Sequence, residues 1–459
     1  MKKIFIPIFM ILSAVAHASG IQDTVRTDED SRVMTLHDCM EYALKYSTKY
    51  EILKLDNADI RLERRDAILK TFTPSVSAGT YASTSFGRAV DPETNTYINM
   101  TSFNNGYSIN ASLTLFNGFA SLNNIKISQT AVKMGMSEEE KLENELCLAV
   151  MEAYYNVIYH SEMVDVLEEQ VEVSKTNLRL MKKQYDLGQK GYPDVAQTEA
   201  DLADREFQLA TSMNSRDDAM LTLKSVMLWP IDEALNIDRS MAEADFSTMA
   251  DEHDSVNEII DYAIESQPSA EIAKGNLNKA RLNLKTAKWQ FLPTLSVSGG
   301  WSTSYYSYPG KSDYAAPPFH SQWRNNAGEY IQLNLSFPIY DRLSRFTNLS
   351  KKKNEYRRAE AQYRQTIQDI ESEVSRAVQD KEGALKSLVL AIKRKDAQRE
   401  TYMLHEKKMK QGVVSPVEFQ TITNSYLNAR AEEINALLQY YLKRSVVKYY
   451  KGTSYIEQQ

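Results

Sequence analysis

The strongest constraint on how this chain can fold is an internal duplication with a period of about 220 residues. Tyr42-Ala43-Leu44 with Glu51-Ile52 reappears as Tyr262-Ala263-Ile264 with Glu271-Ile272. Phe72-Thr73-Pro74-Ser75 returns as Phe291-Leu292-Pro293-Thr294, and Leu115-Phe116-Asn117 as Ile339-Tyr340-Asp341. Leu187-Gly188 with Pro193 returns as Gln411-Gly412 with Pro416. A repeat of that length is one structural unit used twice in a quasi-symmetric object.

The chain opens Met1-Lys2-Lys3, runs through an apolar stretch from Ile4 to Val15 and reaches Ala16-His17-Ala18. Those are the basic start, apolar centre and small-residue cleavage site of a secretory leader. Residues 1–18 are therefore expected to be a signal peptide and 19–34 an N-terminal tail. Lysines and arginines number 54 against 61 aspartates and glutamates, a net charge of −7 that falls further once Lys2 and Lys3 are removed. An acidic exported chain without a long basic block argues against a nucleic-acid partner. Cys39 and Cys147 are the only cysteines, which excludes a disulfide framework. Two buried thiols are expected, with a single bridge as the alternative. Beyond the leader no run reaches the roughly 20 apolar residues of a membrane helix. If the protein enters a membrane, it does so with strands.

Proline placement draws the map, because proline breaks helix interiors. None lies between Pro92 and Pro193 or between Pro338 and Pro416. In the first window Val150, Val157, Val164, Val171, Leu178 and Tyr185 recur every seven residues. In the second, Tyr356, Tyr363, Ile370, Ala377, Ala384 and Ala391 do the same, with Lys381 on the seam. This is coiled-coil periodicity, and each helix would run roughly 100 Å at about 1.5 Å per residue. Each ends at a glycine and restarts at a proline, as helix caps do. The chain thus predicts two antiparallel helical hairpins, preceded by shorter helices near Leu36–Lys70 and Val256–Gln290.

Four segments follow a period of two instead. Val76, Ala78, Thr80, Ala82 and Thr84 alternate with small polar residues, as do Tyr107, Ile109, Ala111, Leu113 and Leu115. Leu295, Val297, Gly299 and Trp301, and then Ile331, Leu333, Leu335, Phe337 and Ile339, repeat the pattern. These are strands with one apolar face and one neutral polar face. Each is close to the length that crosses a bilayer at a tilt, and the polar face suits a water-filled lumen. Trp289, Phe291, Trp301, Tyr305, Tyr306, Tyr308 and Trp323 suggest an interfacial girdle. Loops are expected near Gly87–Asn105 and Pro309–Gly328. Four strands cannot close a barrel; two copies would fill the bore with side chains, whereas three give twelve strands and room for a channel.

These landmarks resemble the TolC-type outer-membrane efflux family over essentially the whole mature chain. The resemblance rests on the order short helix, strand hairpin, long helix, glycine-turn-proline tip and return helix, twice over, with Pro74 and Pro293 before the first strands and Gly188 and Gly412 at the tips. It implies a mainly α fold with a membrane β-barrel, trimeric and twelve-stranded, above an α-helical periplasmic tunnel. The first repeat would cover 35–235, with a strand hairpin at 75–116 and a helical hairpin at 118–228. An equatorial linker would cover 229–255. The second repeat would cover 256–451, with hairpins at 294–340 and 342–450, followed by a C-terminal tail at 452–459. The implied function is the exit duct of a tripartite efflux or secretion complex. Its implied partners are outer-membrane lipid, a periplasmic adaptor and an inner-membrane pump. A periplasmic coiled-coil adaptor or scaffold without a barrel is the alternative.

A passive duct needs a wall, a bore and a gate, but no catalyst. Asp194 and Glu418, just past the two tips, are the gate candidates, since a symmetric ring of carboxylates repels itself and attracts cations. Acids in a first helical turn also favour the helix dipole whatever else they do. The resemblance places Glu418 at one acidic ring position of the family and puts the uncharged Thr421 at the next. Asp194 matches an acid that pairs with an arginine in some members, and that arginine's position is Val414 here. The tip turns, which the resemblance assigns to adaptor docking, are Leu187, Gly188, Gln189, Gly191, Gln411, Gly412, Val413 and Pro416. No cofactor, metal cluster, phosphate loop or nucleophile elbow is legible, so no enzyme is expected; His160 on the heptad seam reads as a packed residue.

Overall fold

Prolines and glycines divide the chain as expected, with one break more per repeat. A computed structural model describes residues 33–90, 95–240, 255–310 and 316–458. The leader and most of the N-terminal tail lie outside the described residues. Each short helix is in fact two. α1 (Leu36–Tyr46) and α2 (Thr48–Phe72) meet at Ser47; α5 (Val256–Ser266) and α6 (Pro268–Trp289) meet at Gln267. Ser47 leaves the helical region at ψ 114° and its hydroxyl accepts the Tyr50 N–H at 3.3 Å. Gln267 does the same at ψ 133° because the following Pro268 disfavours a helical residue before it. Both breaks fall five residues past the matched tyrosines Tyr42 and Tyr262. The repeat therefore extends to a kink that periodicity could not reveal.

Each strand pair leads directly into a long helix. β1 (Ser75–Val90), β2 (Tyr97–Asn117), β3 (Thr294–Ser307) and β4 (Gly328–Ser336) form one antiparallel sheet in sequence order. β1 and β2 stay in register from Ser75↔Ser112 to Val90↔Tyr97. Most of the loop expected at Gly87–Asn105 is thus strand. The second loop contains a short helix, α7 (Phe319–Asn325). The register aligns the apolar residues across all four strands: Val76 with Ala111, Ala111 with Gly299, Leu113 with Val297, and Val297 with Leu333. Two corrections apply near the base. β4 ends at Ser336, so Phe337 and Ile339 lie past the strand. A bulge between Thr114 and Phe116 puts Phe116 rather than Leu115 opposite Leu295.

α3 (Ala120–Asp186) and α8 (Ser344–Lys410) are each 67 residues long. Both begin after two consecutive left-handed residues, Gly118-Phe119 and Arg342-Leu343. The matched Asn117 and Asp341 supply equivalent caps, accepting the backbone N–H four residues on, from Ser121 and Arg345, at 3.1 Å each. The Arg345 guanidinium also holds the Asp341 carboxyl below its ordinary range. α4 (Tyr192–Met227) and α9 (Pro416–Tyr450) return alongside them. Above the kinks, α2, α3, α6 and α8 pack side by side in the order of the strands they join.

The core is a string of separate clusters down this length. The largest gathers Cys39, Met40, Val150, Val157 and Leu223 near the middle, where Trp229 packs on Tyr42 and Tyr455 on Tyr449. Both cysteines are buried, unbridged and pushed up to about 12 mainly by that burial. The first heptad seam holds at Val150, Val157, Val164 and Val171, all buried, and has left the core by the exposed Tyr185. Lys381 is buried on the second seam, as its heptad position demands.

Burial, and then Glu271, raises the Glu140 carboxyl above the ordinary range. An acid whose folded pKa lies above its unfolded value, roughly 4.3, adds stability in its protonated form and loses it as pH rises through the folded value. Glu140→Gln should therefore raise the melting temperature at neutral pH and flatten its decline between mildly acidic and neutral pH. Thermal unfolding in detergent across that range is the check; an unchanged pH slope would sink the assignment.

Candidate functional site

Two regions bear on function: the sheet wall and the tips of the two hairpins. On the sheet's second face the paired rows are Ser112 with Ser75 and Ser298, and Ser298 with Gln332. Near the base that face is small and uncharged, with Tyr81, Tyr306 and Tyr330 on it further up, while the opposite face is mainly apolar from Val76 to Trp301 and carries Asn105 and Glu329 towards the hairpin ends. The aromatic residues form two groups rather than one girdle. At the base, Phe119 meets Phe116 edge-on and Trp289 at a tilt, and Phe291 meets Phe346. Towards the hairpin ends, Trp301, Tyr305 and Tyr107 meet Phe319 and Trp323 of α7. Ten residues separate Leu295 from Tyr305, about 33 Å of strand and roughly 25 Å of height at a barrel-like tilt. That equals the apolar band of an outer-membrane strand. α7 also covers the part of β3 that β4 leaves unpaired. Gln322 accepts from Tyr306 N–H and donates to Tyr306 C=O at 3.0 and 2.9 Å, and Asn326 donates to Ser304 C=O. A side-chain amide thus finishes the ladder.

At the other end both tips use one device. The N–H of Gly188 bonds Tyr185 C=O and that of Gln189 bonds Gln184 C=O; Gly412 and Val413 repeat this on Met409 and Lys408. This is the Schellman cap, and it needs left-handed residues, which Gly188 (φ 71°) and Gly412 (φ 75°) supply. The turns push Leu187 and Val413 into solvent, at 73% and 72% exposure. Gln189, Gly191 and Gln411 are exposed as well, and Gly412 is half-buried. Pro416 is buried, so it shapes the turn without offering a surface.

The gate candidates sit differently. Asp194 accepts the Gly191 N–H at 3.3 Å, closing the first turn of α4. Val414 is buried with Met181, Tyr402 and Phe419, so it provides no charge for Asp194. Glu418 is exposed, its N–H bonds Ser415 Oγ, and its carboxylate lies 3.7 Å from His405 Nε2. His405 Nδ1 faces the Thr401 carbonyl at 2.8 Å, so it carries a proton and leaves Nε2 towards Glu418. Gln197 and Gln420 join the two helix starts at 3.4 Å. Thr421 hydrogen-bonds its own helix.

Sequence reasoning missed one polar cluster. Arg205 on α4 is 1% exposed and donates to Asn424 of α9 at 2.6 Å and to Gln208 at 3.1 Å. Asp201, 3.5 Å away, also accepts from Ser174 of α3. This links both hairpins above the tips. A lone arginine among helical charges gives no sign of burial, so only packing identifies it. Among the described residues no group of acids, cysteines and histidines is placed to hold a metal, and His160 packs against Tyr159 with its pKa lowered mainly by burial.

With this geometry in hand, comparison with known proteins is direct. The family described as outer membrane efflux protein matches residues 54–227 and again 259–446. The chain is 23% identical to the outer membrane protein TolC of Escherichia coli (strain K12) over 319 residues, which is 67% of this chain and 61% of that protein. The match therefore spans about three-fifths of that relative's length. In solved structures the fold is similar to that of CusC, with a TM-score of 0.75 at 15% identity, covering 91% of this chain and 92% of that one. It is equally similar to the outer membrane protein VceC of Vibrio cholerae, with a TM-score of 0.75 at 14% identity, covering 91% and 96%.

Two substitutions test the tip geometry. Gly412→Ala places a Cβ in a left-handed residue and should cost about 1–2 kcal/mol, read as a lower melting temperature. Arg205→Ala removes the donor to Asn424 and the cation beside Asp201, which keeps only Ser174, and should cost about 2–3 kcal/mol. Limited proteolysis should then cut the hairpins faster near the tips. Unchanged cleavage would show that the hairpins are held together elsewhere.

Proposed function

The chain belongs to the outer membrane efflux protein family, and from that premise we propose that it is the outer-membrane exit duct of a tripartite efflux or secretion complex. The family places it in the outer membrane with its helices in the periplasm, and its relatives are channels rather than enzymes. The observation that carries the reading is the sheet. One face is mainly apolar, the other mainly small and uncharged, and the outer edges of β1 and β4 pair with nothing among the described residues. Such edges cannot stay open in hydrocarbon. Three copies would join β4 to β1 around a twelve-stranded barrel wide enough for a lumen. The helices, packed in strand order, would continue the wall into the periplasm.

Conduction is then passive. The bore selects weakly, and choice of cargo belongs to an inner-membrane pump. A periplasmic adaptor would dock on the exposed tips presented by Gly188, Gly191 and Gly412. Asp194 and Glu418 would stand at the aperture, with Asp194 tied into its helix cap and Glu418 leaning on His405. The same paired faces leave the barrel-free adaptor reading without support, since a soluble scaffold has no use for an aliphatic outer face across four strands.

Electron microscopy of detergent-extracted particles tests the duct. A threefold tube longer than roughly 100 Å is expected from the helix rise; a soluble, non-tubular particle would overturn the reading. For the gate, Glu418→Gln should raise conductance or weaken multivalent-cation block in a planar bilayer. If both stay at wild-type values, Glu418 does not line the aperture.

A further inference from the structure

The lipid-facing side of the sheet continues down the outside of the helices, and there it turns basic. Phe116 belongs to the aliphatic face, opposite Leu295, which in turn pairs with Leu335. Phe116 meets Phe119 edge-on at 5.1 Å between ring centres, Phe119 meets Trp289 at 4.9 Å, and the Lys285 ammonium lies 5.2 Å from the Trp289 ring centre. This chain of contacts identifies which flank of α6 is the outer one. At 3.6 residues per turn, Lys274, Arg281, Lys285 and Lys288 share that flank. The side of α6 that meets α3 carries Gly275 against Met134, Asn278 bonded to Thr130, and Thr286 bonded to Asn123. The remaining flank, which continues the lumen face, carries Asn276 and Asn283 with a single cation, Lys279, beside them. Across the outer groove, α3 contributes Lys126 and Lys133.

These six cations have almost nothing to oppose them. α3 contains no acid before Glu138, and α6 contains none after Glu271. All six are exposed, and none makes an ion pair among the described residues. The exposed apolar Leu122 lies one turn above Lys126 on the same flank. In a net-acidic chain six exposed cations thus lie below an aromatic belt, and the one acid among the residues lining their groove is Glu271.

We propose that this outer collar binds the anionic phospholipid headgroups of the periplasmic leaflet, seating the barrel at a fixed depth. Lys126, Arg281, Lys285 and Lys288 reach the phosphates, while Lys133 and Lys274, lower down, add longer-range attraction within about a Debye length of the surface. Aromatic rings at the apolar boundary followed by cations at headgroup level are the two anchors that fix a protein's height in a bilayer. The proposal rests on the barrel reading, because that reading turns the aliphatic face towards lipid.

Native mass spectrometry of the full chain, extracted in detergent and equilibrated with equal phosphatidylglycerol and phosphatidylethanolamine, tests it. Wild type should retain phosphatidylglycerol preferentially. Lys126→Gln, Arg281→Gln and Lys288→Gln combined should reduce that preference at least tenfold, given roughly fivefold per cation near a charged surface. The charge-preserving set Lys126→Arg, Arg281→Lys and Lys288→Arg should keep it. Lys126→Gln and Lys288→Gln alone, which leave the packing side of both helices untouched, should each lower it severalfold. A glutamine set that still needs detergent yet keeps the wild-type preference overturns the proposal. So does a glutamine set that loses binding to isolated peptidoglycan while its lipid preference is unchanged, since the collar would then face the cell wall. A wild type that extracts without detergent would instead sink the barrel reading itself.

Discussion

An unpaired backbone N–H or C=O costs several kcal/mol in hydrocarbon, and this sheet carries two rows of them. β1 and β4 are mainly apolar on one face, and their outer edges are unpartnered among the described residues. The rest of the structure follows from that debt. In the proposed duct the strands pair with copies of themselves and the wall curves round a lumen, and the helices that extend the strands lie in the same order as the strands. Where an edge is left over inside the chain, beyond the end of β4, the Gln322 amide closes it on Tyr306.

Quasi-symmetry makes such a wall from a short list of parts. The same kink follows Tyr42 and Tyr262, the same paired left-handed residues open both long helices, and the same Schellman cap closes both tips. The two halves differ in how they tolerate strain. Gly118 fills a position where a Cβ would fall 2.3 Å from the Trp289 carbonyl oxygen, whereas its counterpart Arg342 bears a side chain in the same left-handed region. The second junction holds that conformation through Asp341, which grips both the backbone and the guanidinium of Arg345.

Polar side chains divide into two roles along this length. Near the tips, buried Arg205 and its acceptors tie one hairpin to the other, and His405 leans on Glu418. On α6 four cations line the flank away from the lumen side, whereas the lumen side carries Asn276, Asn283 and a single cation, Lys279. The wall is one helix thick, so each helix has an inside and an outside whose chemistry can be set independently.

Much of this was legible in the residues alone. Period-two alternation, proline-free windows and the glycine tips require only local stereochemistry, which acts over a few residues and leaves its mark in the spelling. The alternation at Val76 to Thr84 and the heptads from Val150 to Val171 are of this kind. Other features depended on neighbours far away in sequence. The break at Ser47 has no proline to announce it, and the bulge that replaces Leu115 with Phe116 is set by the register against β3. The burial of Arg205 and Val414 depends on which helix lies opposite. The basic collar is written in single lysines and arginines spread over two helices more than a hundred residues apart, so no window of sequence contains it. Local preferences are encoded where they act, whereas burial, register and surface charge come into being only when distant segments share a face.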